Sequence, residues 1–228
     1  MVVSPVLRGM FGLSVDPKTG TVTFAPHAPT SWTHFSIKNV RARAAQMDLT
    51  YSRDNRGITL EVNCAAGTTC PLEFKPSISL SAEVLGAGLN GKPTPFHVEA
   101  NGEDKHAVVR VDVSGKSSTI KLRIRNNFNG SYDSNLPGLG STSEGLRLLS
   151  TKWTANHDSV TMEFAGAAGA EYELAVEPGQ LATVEGAEPL YAESGVRAVR
   201  LRFAAGDPGT YARKTVVFHI SEKPDKRK

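Results

Sequence analysis

The sequence predicts an all-β protein: an antiparallel two-sheet β-sandwich of jelly-roll-like form, with a short N-terminal helical stub. Three observations carry that expectation. Roughly a dozen runs alternate apolar and polar residues with period two, the mark of strands with one buried and one wet face. Clusters of Gly, Asn, Asp and Pro separate these runs at short intervals. A helical spacing of apolar residues is confined to the opening of the chain.

Composition narrows the class. At 228 residues the chain is long enough to bury a full core, and sandwiches of this size commonly form one domain. One sandwich is therefore expected over 13–220, after an opening segment 1–12. Charged residues at 21% and hydrophobic residues at 39% describe a folded chain rather than a disordered one. Of the net charge of +3, two units sit in the tail "SEKPDKRK", where four Lys and Arg outnumber two acids, leaving +1 for the body. Residues 221–228 read as a disordered basic tail. Without a concentrated basic face or a stacking motif, nucleic acid is not an expected partner. Neither is a membrane: no apolar run reaches the length of a span, and no signal-peptide pattern opens the chain. The missing signal is uninformative if Met1 is internal to a longer protein.

The opening "SPVLRGMFGLSVD" places Ser4 as an N-cap and Pro5 at the first helical position. Val6, Leu7, Met10 and Phe11 then fall on one helix face, and Gly9 and Gly12 end the run. A helix this short is marginal in water unless its apolar face is buried. It either caps the body of this chain or belongs to a helical body beside it.

Strands follow. "LSVDPKTGTVTFAP" reads as a hairpin whose turn is framed by Pro17 and Gly20, with Val22 and Phe24 on one side. "THFSIKNVRA" offers Phe35, Ile37 and Val40, the last breaking strict alternation. The clearest hairpin joins Met47, Leu49 and Tyr51 to Ile58, Leu60, Val62 and Cys64 through Asp54, Asn55 and Gly57. Leu72 and Phe74 alternate next. "LNGK" at 89–92 is a tight-turn signal, because Asn-Gly tolerates positive φ. Val109, Val111 and Val113, then Ile120, Leu122 and Ile124, continue the alternation. An irregular stretch, 126–145, rich in Asn, Gly, Ser and Pro, is long for a loop inside a compact domain. Strands resume in "LRLLSTKWTANHDSVTMEFAG", "AEYELAVEPG", "VRAVRLRFAAG" and "ARKTVVFHIS".

Candidate chemistry is sparse. The six histidines, 27, 34, 97, 106, 157 and 219, are scattered along the chain. His157, Asp158 and Ser159 are adjacent, so their side chains point in different directions and read as a polar turn rather than a triad. GxSxG, HExxH and P-loop patterns are missing from the sequence, and no cofactor or metal is expected. Glu144 and Asp133 are the acids to test for glycoside hydrolysis, with solvated loop charge as the plainer reading. Trp32, before a strand and among prolines, suits packing at the end of a sandwich; Trp153 lies in an alternating strand. As sugar contacts, Trp32, His34 and Tyr132 are the candidates. Cys64 and Cys70, in "CAAGTTC", have a spacing that suits a tight loop and a disulfide, or else two reduced thiols at a hairpin's end; zinc spacing is not met. A disulfide would place the chain in a periplasmic or extracellular compartment, which is otherwise unknown.

The opening "SPVLRGMFGLSVDPKTGTVTFAPHAPTSW" resembles the junction where the last helix of an (α/α)6 barrel enters a C-terminal β-sandwich. Such junctions occur in six-hairpin glycosidases, particularly bacterial glycogen-debranching (amylo-α-1,6-glucosidase-like) proteins. The matching residues are Leu7, Gly9 and Gly12, then Asp16 and Gly20, then Pro26, Pro29 and Trp32. "VLGAGLNGKPTPFHV", "STSEGLRLLSTKW" and "GAEYELAVEPGQLATVEGAE" are similar to later strands of that sandwich. In that family the catalytic carboxylates sit in the barrel, so none is carried over to this chain. The resemblance implies a non-catalytic accessory domain of a glycoside hydrolase, with residues 1–12 as the end of the barrel-linker helix. Its partner would be the (α/α)6 catalytic barrel, met through Val6, Leu7, Met10 and Phe11 and the 126–145 loop. The alternatives are an autonomous carbohydrate-binding sandwich, taking an oligo- or polysaccharide, and a free-standing hydrolase.

Overall fold

The structure, a computed structural model, describes residues 6–29, 31–43, 45–54, 56–65, 68–102, 104–114, 117–132, 137–141, 143–176, 180–193 and 195–220. Ser4, Pro5, Asp133 and the tail 221–228 lie outside these residues. Regular structure among the described residues is strand, apart from one π-helical turn, Val6–Met10. The chain divides into two compact units, Met1–Asn127 and Phe128–Lys228.

The first unit holds β1 (Leu13–Val15), β2 (Val22–Phe24), β3 (His34–Ala42), β4 (Ala45–Asp54), β5 (Gly57–Cys64) and β6 (Thr69–Phe74). It continues with β7 (Ser77–Ile78), β8 (Glu83–Leu89), β9 (Lys92–Thr94), β10 (His97–Asn101), β11 (Asp104–Ser114) and β12 (Ser118–Arg125). One sheet runs β1-β2-β6-β11-β10, with β7 also on β11; the other runs β3-β4-β5-β12-β8-β9. Pairing is antiparallel except between β2 and β6, which run parallel with Val22 beside Leu72 and Phe24 beside Phe74. Alternating side chains of both sheets meet in one core: Phe24 and Phe74 from the first, Leu49, Leu60 and Leu122 from the second, all nearly or fully buried. That face-to-face burial is what period-two patterning demands.

Local chemistry explains the turns. Between β1 and β2 the Asp16 carboxylate accepts hydrogen bonds from Lys18 N at 2.8 Å and Thr19 Oγ1 at 2.8 Å, and Gly20 takes φ +77°. Asn90 and Gly91, at φ +51° and +79°, close the β8–β9 hairpin as Asn-Gly turns do. The broken alternation before Val40 is a bulge: β3 shifts register against β4 between Ile37 and Val40, with Asn39 at φ +61°. The extra residue turns Val40 inward, where it is buried.

The opening turn is wound more widely than an α-helix, with Phe11 N donating to Val6 O at 3.0 Å. Val6, Leu7 and Met10 pack on the first core, and Phe11 is only 8% exposed within it. Of the two expectations for the opening segment, the structure shows the first: these four side chains pack on the core of their own sandwich. A short apolar turn cannot persist in water, and the open end of the sandwich is the nearest apolar surface.

The second unit holds β13 (Gly130–Ser131), β14 (Arg147–Trp153), β15 (Ser159–Ala167), β16 (Glu171–Val176), β17 (Leu181–Glu185), β18 (Glu188–Ala192), β19 (Gly195–Arg202) and β20 (Tyr211–Ile220). Its sheets run β13-β16-β19-β18 and β14-β15-β20-β17, all antiparallel. They share a second core around Val160, Val199, Leu201, Val216 and Phe218. One sandwich over 13–220 is thus replaced by two units meeting at residues 127 and 128. Each unit contributes two sheets and closes its own core.

Candidate functional site

The parallel β2–β6 pair decides what meets at one margin of the first unit. It sets the chain after β2 beside the chain after β6: Lys75 N donates to Phe24 O at 2.8 Å and Ser77 N to Pro26 O at 3.1 Å. Ser77 in turn stands opposite His106 on β11. His27 N reaches back to Met10 O at 2.8 Å, tying the same segment to the opening turn. His27 is thereby held near Asp104 and His106, which share one face of β11 because strand side chains alternate.

The three side chains form a group of metal-ligating type among the described residues, with one ligand atom of each lying within 4.8 Å of the others. His27 Nε2 is 3.2 Å from Asp104 Oδ2, and His106 Nε2 is 3.9 Å from Asp104 Oδ1. The two rings meet edge to face with centroids 4.8 Å apart. Both Nδ1 atoms face backbone carbonyls, His27 toward Ala25 O at 3.2 Å and His106 toward Lys75 O at 2.7 Å. A carbonyl only accepts, so each Nδ1 carries a proton and donates it. The carboxylate is oriented by Asn101 Nδ2, 2.8 Å from Oδ1, and by a short bond from Ser77 Oγ to Oδ2. His106 is buried, Asp104 partly so, and His27 open to solvent.

Beside this group, Glu99 accepts from Lys75 Nζ at 2.8 Å and His97 Nε2 at 2.9 Å. These bonds, led by that of Lys75, pull its carboxyl down to about 2. A broad depression of about 520 Å³ on the first sheet is lined by Asp16, Thr23, Glu73, Arg110 and Asp112, among others. Two of its acids are engaged: Glu73 pairs with the Arg110 guanidinium, and Asp16 is held below the usual carboxylate range by the Lys18 amide and the Thr19 hydroxyl. An acid held ionised is not a general acid at neutral pH.

The sequence-predicted sugar contacts fall in different settings. Trp32 is 43% exposed, its ring 6.2 Å from Phe11 and 6.4 Å from Phe35, at 39° and 61°. Those angles make a buttressed aromatic cluster rather than a coplanar platform. His34, at the start of β3, is exposed. Tyr132 belongs to the second unit and rests edge-on against Tyr172 at 5.6 Å. Glu144 is exposed, and its backbone carbonyl accepts the Tyr172 hydroxyl at 2.6 Å, a structural use of that residue. The polar-turn reading of "TANHDS" matches the geometry: Thr154 Oγ1 donates to Asp158 Oδ1 at 2.6 Å, and Ser159 N donates to Thr154 Oγ1 at 3.2 Å.

Cys64 and Cys70 are both buried thiols, in sulfur–sulfur contact at 3.5 Å. The two sulfurs are unbonded neighbours at the place where β5 hands over to β6. Burial first, and the Cys70 thiol second, push the Cys64 thiol up to about 12.

Sequence reasoning singled out the histidines only as scattered. Asp104 and His106, two apart on a strand, were the available signal; His27 is joined to them solely by the parallel pairing. No protein-family model and no curated protein sequence matches the chain.

Proposed function

We infer that this chain is a non-catalytic accessory β module of a carbohydrate-active protein, of the kind that packs beside an (α/α)6 glycosidase barrel and stiffens it. The reading rests on the order of motifs that resemble the glycogen-debranching sandwich, and the observation that supports it best is the seated opening segment. Phe11 is buried, Val6, Leu7 and Met10 lie on the first core, and His27 N bonds Met10 O at 2.8 Å. A connector anchored this way passes orientation from whatever precedes it into a rigid sandwich, which is the work of a scaffold module. Glu73 and Asp16 of the open depression, held in an ion pair and a turn, fit a body that performs no bond cleavage.

A second reading, an autonomous carbohydrate-binding module, is favoured by one observation: Trp32 is 43% exposed, beside a support of Phe11 and Phe35. A buttressed indole can stack on a sugar ring. Quenching of tryptophan emission by maltooligosaccharides, abolished in Trp32→Ala, selects this reading.

The reading frame preceding Met1 tests the first. In-frame helical hairpins with a pair of inward carboxylates support it. A stop codon and a ribosome-binding site immediately before Met1 overturn it.

A further inference from the structure

The geometry points to a binding site for one divalent transition-metal ion of the zinc class, formed by Nε2 of His27, Nε2 of His106 and the carboxylate of Asp104. Three features carry this. The first is tautomer. Each imidazole donates its Nδ1 proton to a backbone carbonyl, Ala25 O or Lys75 O, so the neutral ring presents a lone pair at Nε2. Two such lone pairs and a carboxylate then converge on one small volume. Converging lone pairs repel unless a proton or a metal cation stands between them. A histidine whose far nitrogen is fixed to a carbonyl is also the usual arrangement of a metal-ligating histidine.

The second feature is spacing. A tetrahedral ion with bonds of about 2.0–2.2 Å holds its ligand atoms ~3.3 Å apart. His27 Nε2 and Asp104 Oδ2 already stand at 3.2 Å, and His106 Nε2 and Asp104 Oδ1 at 3.9 Å. The three ligand atoms lie within 4.8 Å of one another, so closing the group asks for shifts of up to about 1.5 Å, and His27, whose side chain is 42% exposed, has room to move.

The third is support. Asp104 is oriented by Asn101 Nδ2 and Ser77 Oγ, while the β7–β11 pairing positions His106. Imidazole with carboxylate suits zinc and its neighbours over calcium or magnesium, which prefer oxygen alone. Three protein ligands leave a fourth position, on the solvent side of His27, for water. The bound ion would clasp the segment after β2, and through it the opening turn, to β11.

The test uses the full chain, stripped with a chelator and dialysed. Titration with zinc chloride by calorimetry is expected to show one equivalent, and cobalt chloride to give the intense visible bands of four-coordinate cobalt. His27→Ala and Asp104→Asn each weaken zinc binding by more than ~10-fold, since even loss of an outer hydrogen bond to a ligand costs about that much. His97→Ala and His219→Ala leave it unchanged. His27 is exposed, so His27→Ala retains the fold, checked by circular dichroism, and its result stands whether or not the buried His106→Ala variant folds. Absence of zinc binding by the parent chain overturns the site. So does unchanged affinity in His27→Ala or Asp104→Asn.

Discussion

The ring of Phe11 lies 4.7 Å from the ring of Phe35, tilted by 31°, and Phe35 in turn stacks on Tyr51 at 4.8 Å. Through this pair the opening turn is fastened to β3 and β4. Truncating Phe11 removes a buried ring and opens a cavity at the sandwich's end. Phe11→Ala is expected to destabilise the first unit by ~3 kcal/mol, the lower part of the range for buried Phe truncations because the site is at an edge. A drop in urea midpoint, with a red shift in tryptophan emission as Trp32 loses its support, checks this.

Glu99 provides a pH signature. Its folded carboxyl titrates at about 2 against an ordinary 4.5, because Lys75 and His97 hydrogen-bond the ionised form. A depressed folded value means the interaction stabilises above pH 4.5 and is lost as pH falls from there to about 2. A carbon-13 titration of the side chain should give that low midpoint. Lys75→Ala should return it toward 4.5, as Lys75 is the largest cause.

The cysteine pair gives the opposite sign. Cys64 is raised from about 9 to about 12, so its contribution is complete below pH 9 and is lost as pH rises through 12. Few thiolates exist at pH 8, and both sulfurs are buried. Ellman's reagent should therefore titrate two thiols in denaturant and react slowly with the native chain. Immediate absence of both thiols in denaturant would mean a disulfide instead.

Gly57 marks a place where the sheet tolerates no side chain. A Cβ there would lie 1.9 Å from the Leu122 carbonyl oxygen across the β5–β12 ladder. Gly57→Ala must push the strands apart, and a loss of ~2 kcal/mol or more is expected in chemical denaturation.

The β4–β5 hairpin was legible residue by residue: Met47, Leu49, Tyr51, Ile58, Leu60, Val62 and Cys64 all point inward. Period-two alternation is a local signal, and nothing nearby competes with it. Val40 was legible only as a disturbance, because a bulge changes phase without changing composition. The division at residue 127 was not read, since alternation says that a face is buried and not against which sheet. The His27–Asp104–His106 group was missed for a related reason. It depends on a parallel pairing between β2 and β6, and strand pairing between distant segments leaves no local trace. The opening turn was read correctly as apolar on one side. Its partner is the sandwich end a few residues later in the same chain.

The central claim, that these strands scaffold rather than cleave, is most directly tested by turnover. The purified chain incubated with maltooligosaccharides and aryl glucosides is expected to release sugar no faster than buffer. Release that follows the protein through purification, and disappears in Glu144→Gln or Glu73→Gln while the fold persists, would contradict it.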